Sequence, residues 1–342
     1  NLRYSELAKE EGAPFLSASV GQAGGLKIFE GETLRISCDP DKWEAALLAA
    51  DTELRRALQF GFQQAQLDEV RADWLRSLDE SVEREATRNS GSFVREILSA
   101  VENRDVPTTA ETDRRILRPA IEAVTLEDCH TALVKGWGEG TLSINAMGNL
   151  DLGEDAGAAL KAAFERGRAA EIERGETIEV ANFAYASDAD AAVEPVSKTH
   201  VEDLDVWLVE FANGVRMNLK ATDFKEKEIV IAARLAEGGL TLSNDEYSTG
   251  FAANAAFNGG GLAAHSEDEL RRLTAGKQVG VGFGMGDDAF QLAGGTTAED
   301  LLMQFELMCA YLQHPGWREE GMRQLHQQMP LQYQQLAMLP QG

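Results

Sequence analysis

The chain has 342 residues, 44% of them hydrophobic, with 57 acidic side chains against 32 basic ones and a formal charge of −25. That length suits two domains of ordinary size with real cores. The negative field repels polyanions, which excludes nucleic acid as the main partner, and no apolar run reaches the ~18 residues of a membrane span. The charge either serves solubility or draws basic peptides to an acidic surface. Cys38, Cys129 and Cys309 lie far apart without C-x-x-C spacing. They read as buried thiols rather than a disulfide scaffold or a zinc site, and leave the compartment open. Asn1 leads straight into an amphipathic pattern with no basic and apolar leader, so the N-terminus reads as a cut inside a longer protein.

In chain order, Leu2, Leu7 and Ala8 predict a short helix ended by Gly12 and Pro14. Phe15 to Val20, Leu26 to Glu30 and Thr33 to Cys38 alternate as three strands, with glycines at the turns. Asp39-Pro40 predicts a helix start with the Asp as cap. Trp43 to Leu58 then repeats at helical spacing, and Leu67 to Val82 does so with one charged face. Phe93 to Val101 and Ile116 to Val124 mark further helices. Thr125-Leu126-Glu127-Asp128 predicts a capping box with Asp in the fourth place. Thr141 to Gly148 reads as a strand, and Leu152 to Phe164 as a closing helix.

Residues 166–203 are polar, small and weakly periodic, which predicts a linker with short extended pieces. Beyond it, Val206 to Phe211 and Val215 to Lys220 flank Asn213-Gly214, the strongest hairpin signal in the chain. Glu228 to Leu235 reads as a third strand and Asn244 to Phe257 as one helix. Ser266 to Glu269 caps another helix, Val279 to Phe283 and Ala289 to Ala293 form a strand pair, and Thr297 to Asp300 opens a helix through Leu312. The Gln-rich segment from Gln324 to Gln341 carries no fold signal, so the second unit reads as truncated.

The stretch from Gly250 to Gly259 resembles the metal-binding helix of the pitrilysin/insulysin family, the inverzincin peptidases with an inverted H-x-x-E-H motif. There a Phe follows the second His by three residues, with Lys-Gly or Asn-Gly next. Phe257, Asn258 and Gly259 fit that tail, which sets Gly250, Ala253 and Asn254 where His, Glu and His stand in the family. Zinc takes about three protein ligands plus an open position, and none of these residues supplies an imidazole or a carboxylate. The similarity extends along the chain. Gly12-Ala13-Pro14-Phe15, Asp68-Glu69-Val70 before a long charged helix, and Gly148-Asn149-Leu150-Asp151 (with Asn149 in place of the family's common Asp) resemble the later domain of a repeat. The Asn213-Gly214 hairpin, the Phe257-Asn258-Gly259 helix end and Leu273-Thr274-Ala275-Gly276 resemble the opening domain of the next repeat.

The resemblance implies an α+β fold of two related domains, 1–165 and 204–342, each a mostly antiparallel sheet with helices on one face. It implies no metal or catalytic residue here, zinc in an upstream domain, and partners consisting of a peptide substrate and the remaining domains of the same polypeptide. Exported relatives imply a soluble, periplasmic protein. Two functions stay open: a non-catalytic segment of a zinc metallopeptidase that walls its chamber and handles peptide, or a structural subunit on the same fold.

Other chemistry is sparse. No two of His130, His200, His265, His314 and His326 have i, i+4 spacing. His200 with Glu202, Asp203 and Asp205 reads as an acidic loop or a metal cluster. His130 beside Cys129 reads as a satisfied, partly buried residue or half of a nucleophile pair. Gly280-Val281-Gly282-Phe283-Gly284-Met285-Gly286 reads as a Gly-rich strand that another backbone approaches, because Asp287-Asp288 would repel a phosphate. Asn258 to Gly261 reads as a helix C-terminus or a substrate-sensing loop.

Overall fold

The computed structural model describes residues 1–25, 29–138, 140–150, 152–179, 181–187, 193–235, 237–250 and 252–338. The fold is α+β, and every strand pair in it is antiparallel. After α1 (Leu2–Leu7), strands β1 (Ser17–Gly25) and β2 (Phe29–Ser37) form one hairpin, in register from Ser17 opposite Ser37 to Gly25 opposite Phe29. Two of the three expected strands are therefore one. Gly31, read as a turn, sits within β2 opposite Ala23, because its φ stays negative and the alternation runs through it. Residues 26–28 lie outside the described set.

Helix α2 (Trp43–Phe60) follows a 3₁₀ turn at Pro40–Lys42, with Pro in the first turn as expected. Asp39, however, makes no capping bond. Ala46 and Ala50 of α2 pack with Tyr4, Ala8 and Phe15 in the first core, and Val20, Leu34 and Ile36 of the hairpin lean on it. The Tyr4 hydroxyl donates to the Ala50 carbonyl at 3.0 Å. The helices α3 (Gln64–Glu83), α4 (Ser90–Asn103), α5 (Ala110–Ala123), α6 (Leu126–Gly138) and α7 (Ala156–Arg168) complete this half. The Thr125–Asp128 box closes both ways: Asp128 N–H donates to Thr125 Oγ1 at 3.1 Å, and Thr125 N–H to Asp128 Oδ2 at 2.9 Å. No strand forms over residues 141–147; Leu142 and Met147 are exposed there, so nothing holds an edge in place. Helix α4 presents Phe93, Val94, Ile97, Leu98 and Val101, all exposed.

The second half holds two three-stranded sheets. One is β3 (Ser197–Val201), β4 (Val206–Glu210) and β5 (Arg216–Leu219) in sequence order. Asn213-Gly214 turns the β4–β5 hairpin as predicted, with Gly214 at φ +85. The other has the order β6-β8-β7, from β6 (Ile229–Leu235), β7 (Gly282–Met285) and β8 (Phe290–Thr296). The strand expected as third of the hairpin thus pairs elsewhere, and β3, from the segment read as linker, takes its place. Helices α8 (Asn244–Gly250), α9 (Ala253–Gly259), α10 (Glu267–Leu273), α11 (Leu301–Gln313) and α12 (Glu319–Met338) surround the second sheet. Its core joins Phe257, Leu262, Leu270, Leu292, Leu307 and Tyr311. The Gln-rich tail is helical over α12, since Gln, Leu and Met are good helix formers, and Pro330 lies inside that helix.

Charge pairs join the halves across α10. Lys9 bonds Asp268 at 2.8 Å and Glu267 at 2.9 Å, at the acidic helix start. At its basic end Arg271 reaches Glu69 at 2.7 Å and Arg272 reaches Glu6 at 3.0 Å. These signs also suit the helix dipole.

Candidate functional site

The expected catalytic-type helix is two helices. α8 ends on Gly250 and α9 starts on Ala253; Phe251 between them lies outside the described residues. Gly250 backs onto β7: a Cβ built on it would stand 2.5 Å from Met285 Sδ and 2.6 Å from its terminal methyl. A side chain at position 250 would therefore require the flexible end of Met285 to swing aside. Ala253 offers only a methyl, and Asn254 lies in the first turn of α9. Phe257 is buried, and its ring centroid lies 5.1 Å from those of Phe283 and Tyr311 and 6.1 Å from that of Trp317. An apolar aromatic cluster anchors the helix at the position the motif tail predicted.

Asn258 to Gly261 end this helix rather than form an open loop. Gly260 N–H donates to the Ala256 carbonyl at 3.1 Å, and Gly261 takes φ +60, the left-handed geometry of a helix C-terminus. Arg318 then pins the chain beyond it. Its Nη1 donates to the carbonyls of Gly260, Leu262 and His265 at 2.8, 2.6 and 3.1 Å, and its Nη2 to that of Ala263 at 3.1 Å. Sequence reading missed Arg318, because a lone Arg before an acidic pair carries no local signal of carbonyls 53 to 58 positions away.

The Gly-rich strand also resolves. A Cβ on Gly280 or Gly284 would meet nothing within 4 Å and one on Gly282 only the Ala293 carbonyl at 3.7 Å; the close approach falls instead on Gly294 of β8, where a Cβ would stand 2.2 Å from the Gly280 carbonyl. Gln304 of α11, fully buried, brackets Gly280 with both amide atoms: it accepts from its N–H at 2.9 Å and donates to its carbonyl at 2.8 Å. Gln304 stands in for a neighbouring strand at this point. It was legible only as one of three polar residues, with Glu306 and Gln313, in a largely apolar helix.

The histidines fall apart. His200 meets Asp205 at 2.8 Å and stacks on Trp207 at 4.6 Å, with Lys198 on the same ring; Glu202 and Asp203 do not join them. Among the described residues no group of three or more His, Cys, Asp and Glu stands close enough to hold a metal. His130 Nε2 meets the Leu58 carbonyl at 2.8 Å, so it donates there, half-buried as expected. The three cysteines are free thiols; Cys309 is exposed, and burial and the nearby Asp39 and Asp41 push the Cys38 thiol up.

A cleft of ≈ 330 Å³ opens beside the end of α9, between α1, α10 and α12. Lys9, Arg318 and Arg323 line it, but carboxylates dominate, among them Glu10, Glu11 and Glu320. Such a lining favours a cationic guest over an anionic one.

No family model and no curated protein matches the chain. Solved structures do. The chain is similar to the ferredoxin protease FusC, whose structure was solved as an E83A mutant in complex with Arabidopsis ferredoxin, with a TM-score of 0.51 at 15% identity over 97% of this chain and 37% of that one. It also aligns with the periplasmic protease PqqL from Escherichia coli (TM-score 0.43, 18% identity, 99% and 38%) and with pitrilysin (TM-score 0.42, 11% identity, 98% and 36%). The chain thus spans a little over a third of the length of these structures. The family resemblance seen in the sequence holds at the level of fold. Among the described residues no helix is long and apolar enough to cross a membrane.

Proposed function

We propose that this chain is a non-catalytic segment of a pitrilysin-like zinc metallopeptidase, walling a chamber and handling extended peptide. What supports the reading is that Gly250 and Asn254 stand where the resemblance sets the two His ligands and Ala253 where it sets the Glu base, and that the Met285 side chain packs against Gly250. Zinc, in this reading, belongs to an upstream domain, where it would polarise the attacking water while a Glu serves as base. The acidic cleft and the overall −25 charge suit a substrate with basic side chains. The remaining domains of the same polypeptide are the other partner. In support, a compact 37.2 kDa monomer exposes about 13,700 Å², whereas this chain exposes 22865 Å², including the apolar face of α4. Export of relatives makes the periplasm the expected compartment.

The test is direct. The purified segment dialysed against zinc should retain no stoichiometric metal and cleave no peptide, while a Lys- or Arg-containing peptide should bind more tightly than its Glu-substituted counterpart. Chelator-sensitive cleavage by the segment would overturn the reading. A structural subunit without peptidase activity is the rival, and an upstream H-x-x-E-H in the same reading frame separates the two.

A further inference from the structure

The segment 181–187 crosses the second half as a strap. Phe183 and Tyr185 are half-buried against its core while Asn182, Ala184 and Ala186 face out. The Phe183 ring stacks on His265 at 5.8 Å, and the Tyr185 ring stacks on His314 at 5.0 Å. The polar fastenings all engage the second half. Ala184 N–H donates to His265 Nε2 at 2.9 Å, the Tyr185 hydroxyl accepts from Ala264 N–H at 2.9 Å, and Glu306 Oε1 accepts from Ser187 N–H at 2.7 Å and from its hydroxyl at 2.9 Å.

A backbone amide can only donate, so the Ala184 bond requires a bare lone pair on His265 Nε2. The ring hydrogen then sits on Nδ1, which is buried without a partner among the described residues, in a residue only 3% exposed. Adding a proton removes the acceptor and places a charge between Phe183 and Tyr185. The neighbouring charges do not welcome it. Arg318 donates to the carbonyl of His265 itself, and His314 lies across Tyr185. Of the acids at the start of α10, Glu267 and Asp268 are held by Lys9, and Glu269 caps Ser266 N–H.

We infer that residues 181–187 form a pH-sensitive strap, docked while His265 is neutral and released from the second half when its imidazole takes up a proton. A proton on His265 Nε2 removes the acceptor for Ala184 N–H, so docking is full at alkaline pH and weakens as pH falls, by up to about tenfold per pH unit.

The experiment is amide hydrogen exchange on the whole chain at pH 8 and pH 5.5, expressed as protection relative to the intrinsic rate at each pH. Ala184 should lose about tenfold or more of its protection, while the α11 amides around Leu307 keep theirs. His265→Gln, whose side-chain carbonyl accepts at both pH values, should flatten the profile. Glu306→Gln, which alters the bonds to Ser187 and not the one to His265, should leave the Ala184 loss in place. Equal Ala184 protection at pH 8 and pH 5.5 in the unmodified chain would refute the strap mechanism even if neither variant folds. So would an undiminished loss in His265→Gln.

Discussion

Two tyrosines set the alkaline limit of this protein. Tyr4 and Tyr311 are buried, and burial is the first cause that raises both phenols, with Asp51 adding to Tyr4 and Glu267 to Tyr311. Tyr311 is pushed up to about 12 and Tyr4 further in the same direction. A folded pKa above the unfolded value of ~10 means that stability is complete below ~10 and drains away as pH rises toward the folded values. Urea midpoints should therefore be flat from pH 7 to 9 and fall by pH 11, at up to ~1.4 kcal/mol per pH unit for each phenol. Tyr4→Phe should cost about 1 kcal/mol at pH 7 through its lost bond to Ala50 and make the alkaline fall shallower. Met285 supplies a second test at this scale. The combined Gly250→His, Ala253→Glu, Asn254→His variant should take up less zinc by elemental analysis than the same variant carrying Met285→Ala, because the Met285 side chain must swing aside to admit a Cβ at position 250. Pairing it with Met285→Ala clears that space and shows whether Met285 is the obstacle.

Helix packing decides what happens at the glycines. α9 and α12 cross where a Cβ on Gly321 would stand 2.2 Å from the Ala255 carbonyl and 3.0 Å from Gly259 Cα. Alanine in a helix is worth up to ~1 kcal/mol over glycine, but overpacking against backbone that cannot swing aside costs ~1–3 kcal/mol. The clash wins, so Gly321→Ala should lower the melting temperature. Gly157 in α7 meets nothing closer than Asp155 Oδ1 at 3.6 Å, so Gly157→Ala should raise the melting temperature slightly. Calorimetry on the two variants gives opposite signs if the crossing is as described, and the same sign if it is not.

Charge pairs hold the whole molecule's two halves in register. Glu69 is 4% exposed and its bond to Arg271 spans 202 positions of sequence. Removing the partner of a buried charge costs ~3–5 kcal/mol when both are enclosed. Arg271 is a third exposed, so Arg271→Ala should cost roughly 2–3 kcal/mol after screening. Arg271→Lys should recover part of that loss, since a point charge replaces the fork. Added salt should weaken the more exposed Lys227–Glu83 pair first. Denaturant titrations of the three chains at two ionic strengths measure all of this; identical midpoints for the unmodified chain and Arg271→Ala would show that the junction carries no stability.

Local pattern settled most of the helices, because a 3.6-residue period and a Thr125–Asp128 or Ser266–Glu269 box need nothing beyond a few neighbours. The Asn213-Gly214 turn was legible for the same reason. Strand pairing was not local. β6 finds its partner in β8, some sixty positions on, and β3 rather than β6 completes the hairpin sheet, since an alternating segment states which face is apolar but not whose edge it meets. Nor could sequence foretell the Gln304 bracket, the Arg318 pin or the bond from Ala184 to His265. Each of these polar groups has a meaning set by what folding brings against it, and that is decided only in three dimensions.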